Sequence, residues 1–274
     1  MKANVLISQD LSCVGQVSMS VALPLLSAVD LRPDVLPTAL LSTHTGGFGE
    51  NTYLDLSSEM SRILQHWQTL ELSFSAVYLG YLGLRPLEVI LANINYLKTP
   101  GTLLLVDPVM ADDGKLYKGF DADYVTQMKK LLKHATVATP NLTEAQLLLD
   151  EALTTSPVAL DQAEQLLLRL VDRFSLDQAL LTGIKSADKV IVVGYDYGKL
   201  WYEARPRSAG NYFGTGDIFA SVLLAGMLKR QDLRSATKIA MDFITLAIRL
   251  TPQPRDARFG VDYAAALPYL LEKL

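Results

Sequence analysis

Short apolar runs alternate with longer segments of helical periodicity along most of the chain, and this alternation limits the possible folds more than any other feature. Runs of this length are typical of strands buried in a parallel sheet, and the segments between them are long enough for crossover helices. The sequence therefore predicts an α/β fold: a doubly wound, mostly parallel sheet with helices on both faces. Strands are predicted at 4–8, 34–40, 74–80, 102–106, 136–138, 178–182, 189–194 and 199–203, and helices at 15–29, 55–70, 85–97, 121–134, 143–150, 159–173, 215–229, 232–250 and 262–273.

The parallel order is interrupted near residue 190. Residues 190–193 and 200–202 are apolar or aromatic, and the segment Tyr195-Asp196-Tyr197-Gly198 between them fits a hairpin turn. The sheet is therefore expected to end in an antiparallel edge. Because no repeat and no long linker interrupts the chain, we expect a single domain over 1–274.

Composition excludes several functional classes. With 25 Lys and Arg against 29 Asp and Glu, the net charge is −4 and no long basic stretch is present, which argues against nucleic-acid binding. Cys13 and the three histidines lack zinc-ligand spacing. The charge-free run 11–29 contains serines, Gln16 and Pro24, so we interpret it as a buried loop and helix of a cytoplasmic protein with no membrane partner.

The motif Gly214-Thr215-Gly216-Asp217 is the most informative one, because an apolar helical segment follows it directly. Two glycines allow the backbone to turn tightly and to approach a ligand, and the unpaired N–H groups of a first helical turn attract an anion. A carboxylate there would repel a phosphate unless it takes a proton from a nucleophile beside that phosphate. Asp217 is therefore either a general base or a residue that merely favours the first helical turn.

Carboxylates also follow two predicted strands. Asp107 directly follows the strand predicted at 102–106, and Asp112 lies five residues further on. This placement suits a Mg²⁺-nucleotide, and a turn built from Pro, Asp and Gly is the other interpretation. Asn141 and Glu144 follow the strand at 136–138, where they fit a helix N-cap and its capping-box partner. Glu144 is in addition a candidate partner of a metal-bound phosphate.

Residues 42–49, Ser-Thr-His-Thr-Gly-Gly-Phe-Gly, form a glycine-rich loop after the second predicted strand. Three glycines within four residues cost backbone entropy on folding. Such a loop is either a mobile cover or one that must pass close to a ligand, and a disordered connector is the other interpretation.

In their order along the chain, these motifs resemble the ribokinase-like superfamily, and within it the vitamin kinases typified by pyridoxal kinase. The resemblance extends from Ile7 to the last helices. It implies ATP-dependent phosphorylation of the 5′-hydroxymethyl group of a B6 vitamer, with Mg²⁺ accompanying ATP and a homodimer as the assembly, and it leaves a monovalent-cation requirement open. The segments that carry it are Ser42-Thr43-His44-Thr45-Gly46, Asp107-Pro108-Val109-Met110, Thr139-Pro140-Asn141 with Glu144, and Gly214-Thr215-Gly216-Asp217 with Phe219-Ala220.

The resemblance also implies a role for each matching residue. Asp217 would be the catalytic base, and Gly214, Thr215 and Gly216 would form the anion hole for the transferring phosphoryl group. The vitamer would contact Gln9, Asp10, Thr45, Gly46 and Tyr81. The nucleotide would contact Asp107, Tyr117, Asn141, Glu144, Thr182 and Ser186, and the metal would lie near Asp107, Asp112 and Glu144.

The chain departs from this pattern near its start. Ser8-Gln9-Asp10 stands where pyridoxal kinases commonly have Gln-Ser-His, and it is closer to hydroxymethylpyrimidine kinases, whereas residues 42–46 favour the pyridoxal side. The alternative function is therefore a hydroxymethylpyrimidine/phosphomethylpyrimidine kinase of thiamine synthesis. A non-catalytic B6-binding sensor is the alternative of another class, and the intact Asp217 with its glycines counts against it.

Overall fold

The computed structural model describes residues 3–210 and 212–274. Its strands are β1 (Asn4–Ser8), β2 (Leu11–Ser12), β3 (Arg32–Val35), β4 (Ala39–Leu41), β5 (Tyr53–Asp55), β6 (Ala76–Leu79), β7 (Leu103–Val106), β8 (Ala111–Asp112), β9 (Lys115–Leu116), β10 (Val137–Ala138), β11 (Gln178–Lys185), β12 (Lys189–Asp196) and β13 (Lys199–Pro206). Its α-helices are α1 (Met19–Ala28), α2 (Ser57–Thr69), α3 (Leu84–Ala92), α4 (Ile94–Leu97), α5 (Ala122–Leu132), α6 (Leu142–Leu148), α7 (Leu160–Phe174), α8 (Thr215–Leu228), α9 (Leu233–Leu250) and α10 (Leu267–Lys273).

An eight-stranded sheet in the order β13-β12-β11-β10-β7-β6-β1-β3 forms the centre of the molecule. Within this sheet the neighbouring strands β3, β1, β6, β7, β10 and β11 pair in parallel. Strand β12 pairs antiparallel with β11 and with β13. The predicted mostly parallel sheet with an antiparallel edge is thus confirmed. The predicted hairpin turn is also present: Tyr197 (φ 43°) and Gly198 (φ 87°) both have positive φ, as a tight two-residue β-turn requires.

Successive residues of the central strands are buried on opposite faces of the sheet. Leu6, Val77 and Leu104 pack against the helices α2 to α7, whereas Ile7 and Tyr78 pack against α1, α8, α9 and α10. This alternation follows from the two-residue repeat of a strand. Because both faces are covered, the strands are apolar throughout, which is why their positions were predictable from sequence.

One predicted strand, 34–40, is wrong as a single element. The chain leaves the main sheet after β3 and joins a separate three-stranded sheet, β2-β4-β5, through β4. Pro37 lies between the two strands and has no N–H to donate, while Leu36 and Thr38 on either side donate to Ile7 and Gln9. The short strands β2, β5, β8 and β9 were not predicted from the sequence.

Three predicted helices differ from the observed ones in where they begin or in their continuity. The helix predicted at 15–29 begins only at Met19, because Gly15 (φ 107°) and Ser18 (φ 49°) have non-helical backbones. The helix predicted at 85–97 is divided at Asn93 into α3 and α4, and the last helix begins at Leu267 after a 3₁₀ turn.

The carboxyl ends of the parallel strands meet at one edge of the sheet, and chain direction places β3 on one side of β1 and β6 on the other. Ligands of open α/β sheets bind at such a switch point.

Among the described residues, no helix has the length and apolar character needed to cross a bilayer.

Candidate active site

The start of α8 is an open helix end beside the switch point. The first helical hydrogen bond runs from Ile218 N to Gly214 O at 2.9 Å, so the amides of Thr215, Gly216 and Asp217 lie before the helical ladder begins. Gly214 has φ 79°, and a Cβ there would lie 2.0 Å from the carbonyl oxygen of Gln16. Glycine is therefore required for the helix to begin this close to the preceding loop.

Asp217 lies in the first turn of this helix and is half-buried. Burial, and secondarily the charge of Asp10, raises its pKa to about 7, although the backbone amide of Ser18 donates a hydrogen bond to it and acts in the opposite direction. A carboxylate with a pKa near neutrality is well matched to accepting a proton at physiological pH.

Gln9 and Asp10 follow β1 on the opposite side of this cleft, and both are buried. Ser12 Oγ donates to Asp10 Oδ2 at 2.8 Å, and burial raises the pKa of Asp10 despite hydrogen bonds from Ser18 and Ser12. The side-chain amide of Gln9 has no hydrogen-bond partner among the described residues. Its Oε1 would lie 2.4 Å from a Cβ at Gly80, so glycine there leaves room for this amide.

Asp107 and Glu144 form the acidic side of the cleft at the ends of β7 and β10. Burial, and then the charge of Asp217, raises the pKa of Asp107 to about 8. Burial and the charge of Asp107 also raise the pKa of Glu144. Glu144 accepts from Met110 N at 3.1 Å and from Asn141 N at 2.8 Å, so its orientation is set by two backbone amides.

This donor set fits a hard divalent cation. Asp107 and Glu144 are carboxylates whose pKa values are raised first by burial and then by a neighbouring carboxylate, Asp217 for Asp107 and Asp107 for Glu144, so the protein itself leaves part of their charge uncompensated. Mg²⁺ in nucleotide sites binds through one or two carboxylates and retains much of its water shell. Among residues 3–210 and 212–274, no group of three or more His, Cys, Asp or Glu side chains is placed to hold a metal ion by itself.

The junction between α6 and β11 places Asn141 beside Thr182. Thr182 N donates to Pro140 O at 2.9 Å, and Asn141 and Thr182 form an isolated parallel bridge. Asn141 also caps α6 through the predicted capping box, and its Nδ2 donates to Ala111 O at 2.7 Å. The capping interpretation of Asn141 and Glu144 is thus confirmed. It is compatible with a binding role, because it holds Glu144 against Asp107.

Tyrosines line two other sides of the cleft. Tyr81 follows β6, packs on Phe120 at 5.0 Å between ring centroids, and has a pKa raised by burial and by the neighbouring Tyr53. Burial raises the pKa of Tyr53 to about 12. Tyr117 lies near Glu144 and Asp112, and burial first and then Glu144 raise its pKa. These phenols therefore stay neutral and offer flat apolar faces with a polar end.

The phosphomethylpyrimidine kinase family model matches residues 59–262, which is more than half of the chain. The chain belongs to the phosphomethylpyrimidine kinase family. This membership confirms the vitamin-kinase resemblance inferred from the sequence.

The proteins similar to this chain are named as two kinds of kinase, pyridoxal kinases and hydroxymethylpyrimidine/phosphomethylpyrimidine kinases. The crystal structure of pyridoxal kinase from Lactobacillus plantarum is 34% identical, with a TM-score of 0.90, and the match covers 98% of this chain and 97% of that chain. A pyridoxine/pyridoxal/pyridoxamine kinase of Bordetella avium is 28% identical over 86% of this chain and 81% of its own length. A hydroxymethylpyrimidine/phosphomethylpyrimidine kinase of Aquifex aeolicus is 27% identical over 59% of this chain and 62% of its own length. The chain spans only 61% to 65% of the length of this relative and of two yeast relatives.

The structure brings most of the residues predicted for this family site to one edge of the sheet. Asp10, Asp107, Glu144 and Asp217 influence one another electrostatically, as their pKa shifts show. Asp112 is exposed in the β8–β9 hairpin, where its Oδ1 accepts from Asp113 N at 2.8 Å. The roles assigned to these residues stay predictions.

Three other predicted residues lie at the surface or in loops. Ser186 is exposed in the turn between β11 and β12, where its N donates to Lys189 O at 2.9 Å. Thr45 is exposed, and Gly46 lies against Phe213, with a Cβ position 2.5 Å from the Phe213 ring. Ligand contact by these three residues stays a prediction.

Sequence reasoning missed Ser18 and His44 as members of this site. Ser18 hydrogen-bonds both Asp10 and Asp217 and so connects the two carboxylates. No spacing in the sequence indicates this, because Asp217 lies far from Ser18 along the chain. His44 lies in the glycine-rich loop that was singled out, and its contacts are described below.

We expect Gly214→Ala to destabilise the fold by more than about 1 kcal/mol, because alanine is strained at positive φ and its Cβ would meet the Gln16 carbonyl. Gly216→Ala is the matched control, since a Cβ there meets nothing within 4 Å and its φ is not positive. Denaturant unfolding of both variants measures the difference. Equal stability of the two variants would contradict the close approach.

The ligand-free protein should be less stable at pH 8 than at pH 5. The pKa of Asp217 (about 7) and that of Asp107 (about 8) lie above the ordinary value of 3.8, so the folded state binds more protons than the unfolded chain between those values. Stability must then fall as pH rises through this window. Thermal unfolding midpoints at the two pH values test this, and Asp217→Asn should reduce the difference. A midpoint that is constant or higher at pH 8 would refute it.

Proposed function

We propose that this chain is an ATP-dependent kinase that phosphorylates the 5′-hydroxymethyl group of a B6 vitamer: pyridoxal, pyridoxine or pyridoxamine. The observation that carries this proposal is Asp217, a half-buried carboxylate with a pKa of about 7 at the glycine-rich start of α8. The names of the Lactobacillus plantarum and Bordetella avium relatives support the choice of vitamer. So does a Bacteroides thetaiotaomicron crystal structure containing pyridoxal, provisionally described as a phosphomethylpyrimidine kinase, which is 33% identical with a TM-score of 0.93.

In this mechanism Asp217 accepts the proton of the hydroxymethyl group as the hydroxymethyl oxygen attacks the γ-phosphorus of ATP. The bond from that phosphorus to the β,γ-bridging oxygen breaks, and ADP leaves. The amides of Gly214, Thr215 and Gly216 would stabilise the negative charge on the transferring phosphoryl group, aided by the positive end of the α8 dipole. Position and electrostatics are sufficient, because phosphoryl transfer requires little covalent participation by the protein.

Asp107 and Glu144 would hold the water shell of Mg²⁺ on the nucleotide side of the cleft, with Asp112 nearby in the β8–β9 hairpin. Mg²⁺ bound with ATP supplies positive charge to the phosphate oxygens. Tyr117, Asn141, Thr182 and Ser186 would contact the nucleotide.

The vitamer ring would lie between the ends of β1 and β6. Gln9 offers an amide that can donate or accept, and Asp10 offers a carboxylate held by Ser12. Tyr81 supplies an aromatic face, and Thr45 with Gly46 closes the site from the glycine-rich loop.

We further propose one kinase domain over 1–274, a homodimer, and a cytoplasmic location. A monovalent-cation requirement stays open.

The second candidate is a hydroxymethylpyrimidine kinase, which the name of the matching family model and of the Aquifex aeolicus relative favours. A B6-binding sensor without catalysis would not need a base with a pKa near 7. A substrate panel separates all three. It comprises the three vitamers and hydroxymethylpyrimidine with Mg-ATP.

We expect at least one B6 vitamer to exceed hydroxymethylpyrimidine in kcat/KM by roughly tenfold or more, about 1.4 kcal/mol of transition-state binding. The reason is that buried polar groups left unpaired by the wrong ring penalise its binding. The reverse order would assign the chain to pyrimidine phosphorylation. Binding of a vitamer without turnover of any substrate would favour the sensor.

Asp217→Asn should lower kcat by roughly 10²–10⁴ while the KM for ATP changes little, because the variant loses the base but keeps the helix end. The matched control is Asp123→Asn, which removes an exposed carboxylate from the first turn of α5. Steady-state kinetics of both variants decide between a general base and a residue that only favours the helix. Wild-type kcat in Asp217→Asn would exclude the base.

A further inference from the structure

Four loops meet around the side chain of His44, which is buried with 7% of its surface exposed. They are residues 13–18 after β2, the glycine-rich loop 42–51, residues 212–216 at the start of α8, and residues 255–260 before the last helix. We call residues 42–51 the substrate loop and residues 212–216 the phosphate loop. None of the contacts of His44 is explained by the mechanism proposed above.

Two hydrogen bonds require the same tautomer of His44. Gly46 N donates to Nδ1 at 3.1 Å, so Nδ1 is unprotonated. Nε2 lies 2.6 Å from Arg258 O, and because a carbonyl can only accept, Nε2 carries the proton. The neutral ring therefore connects the substrate loop to residues 255–260.

The ring also packs directly on the phosphate loop. Its centroid lies 4.8 Å from that of Phe213, the residue immediately before Gly214, and 5.0 Å from that of Phe48 in an edge-on arrangement. Phe48 in turn packs edge-on against Phe259 at 5.6 Å. A Cβ at Gly15 would lie 2.5 Å from Cδ2 of His44, so the imidazole fills the space between these loops.

Gly46 contacts both His44 and Phe213, the aromatic residue on which His44 packs. Its N–H is bound to the imidazole, and its Cα faces the Phe213 ring so closely that no side chain fits between them. The loop proposed to cover the vitamer and the helix end that carries Asp217 are thus joined through one side chain. Precise placement of this kind governs phosphoryl transfer, since a misplacement of about 1 Å can cost 10²-fold in rate.

We propose that His44 is a positioning residue that fixes the substrate loop against the phosphate loop, and so holds the acceptor hydroxymethyl group in line with Asp217 and the anion hole. This inference rests on the proposed function for its kinetic consequence. Its structural content, that the imidazole ties the substrate loop to residues 255–260, stands independently of the substrate.

Three substitutions separate the contacts of the ring. His44→Ala removes both hydrogen bonds and the packing on Phe213. His44→Asn places an amide oxygen near the position of Nδ1 and can still accept from Gly46 N. His44→Gln reaches the position of Nε2 and can still donate to Arg258 O. His66→Ala, at an exposed position of α2, is the matched control.

Steady-state kinetics with the preferred vitamer should give a kcat at least about tenfold lower for His44→Ala, with the KM for ATP within about twofold of wild type. His44→Asn should recover more of the lost kcat than His44→Gln, because the bond to Gly46 is the one that lies in the substrate loop. His66→Ala should match wild type. An unchanged kcat in His44→Ala, or equal losses in the Asn and Gln variants, would overturn the proposal.

Amide hydrogen exchange of the ligand-free proteins provides a readout without catalysis. Residues 42–51 should exchange faster in His44→Ala than in wild type, with His44→Asn closer to wild type, and α2 should be unaffected. If wild type phosphorylates no vitamer, the proposed function fails while this comparison still tests the connection. Unchanged exchange in the substrate loop would reject the role of His44 whatever the activity, and if His44→Ala does not fold, the Asn and Gln pair carries the test.

Discussion

The repulsion among carboxylates buried at one edge of the sheet is the constraint on which the rest of the site depends. Burial first, and then the charge of Asp217, raises the pKa of Asp107, and burial followed by the charge of Asp107 raises that of Glu144. A fold tolerates such an arrangement only where surrounding dipoles or a bound cation offset it. The protein supplies part of this compensation through backbone amides. Two amides hold Glu144, and the Ser18 amide holds Asp217. The remainder would suit the proposed Mg²⁺-nucleotide, so the repulsion that costs stability in the free protein would be relieved when that ligand binds.

The architecture of the sheet determines which chain segments can take part in this arrangement. Parallel strands bring their carboxyl ends to one edge, so loops that are distant in sequence meet there after β1, β7 and β10. The α8 helix approaches from the opposite face, and it can begin beside residue 16 only because Gly214 has no side chain. The placement of the candidate site residues is therefore a consequence of sheet direction and of one glycine.

Much of this could be predicted from the sequence. The apolar strands, the antiparallel edge and the motif that ends in Asp217 follow from periodicity and local chemistry, because both faces of the sheet are buried and because a glycine-rich helix start is a local feature. The three-stranded sheet containing β4 could not be predicted, since β2 has two residues and β5 only three, too few for a periodic signal. Ser18 and His44 were missed because their contacts in the site leave no local pattern in the sequence. Each has one partner far along the chain, Asp217 for Ser18 and Arg258 for His44, and Arg258 is separated from His44 by more than two hundred positions.

Discrimination between ring substrates depends on how far each polar group is already committed within the protein. Asp10 is oriented by Ser12 and Ser18, so it presents an acceptor in a defined direction. Gln9 is equally buried, yet its amide has no partner among the described residues and fits beside Gly80. A buried amide can rotate to present either its oxygen or its nitrogen, so it can satisfy a ring hydroxyl or an exocyclic amine. In the proposed vitamer site, selection between pyridine and pyrimidine rings would then depend less on Gln9 than on the groups that cannot rotate, namely Asp10 and the backbone of residues 42–51.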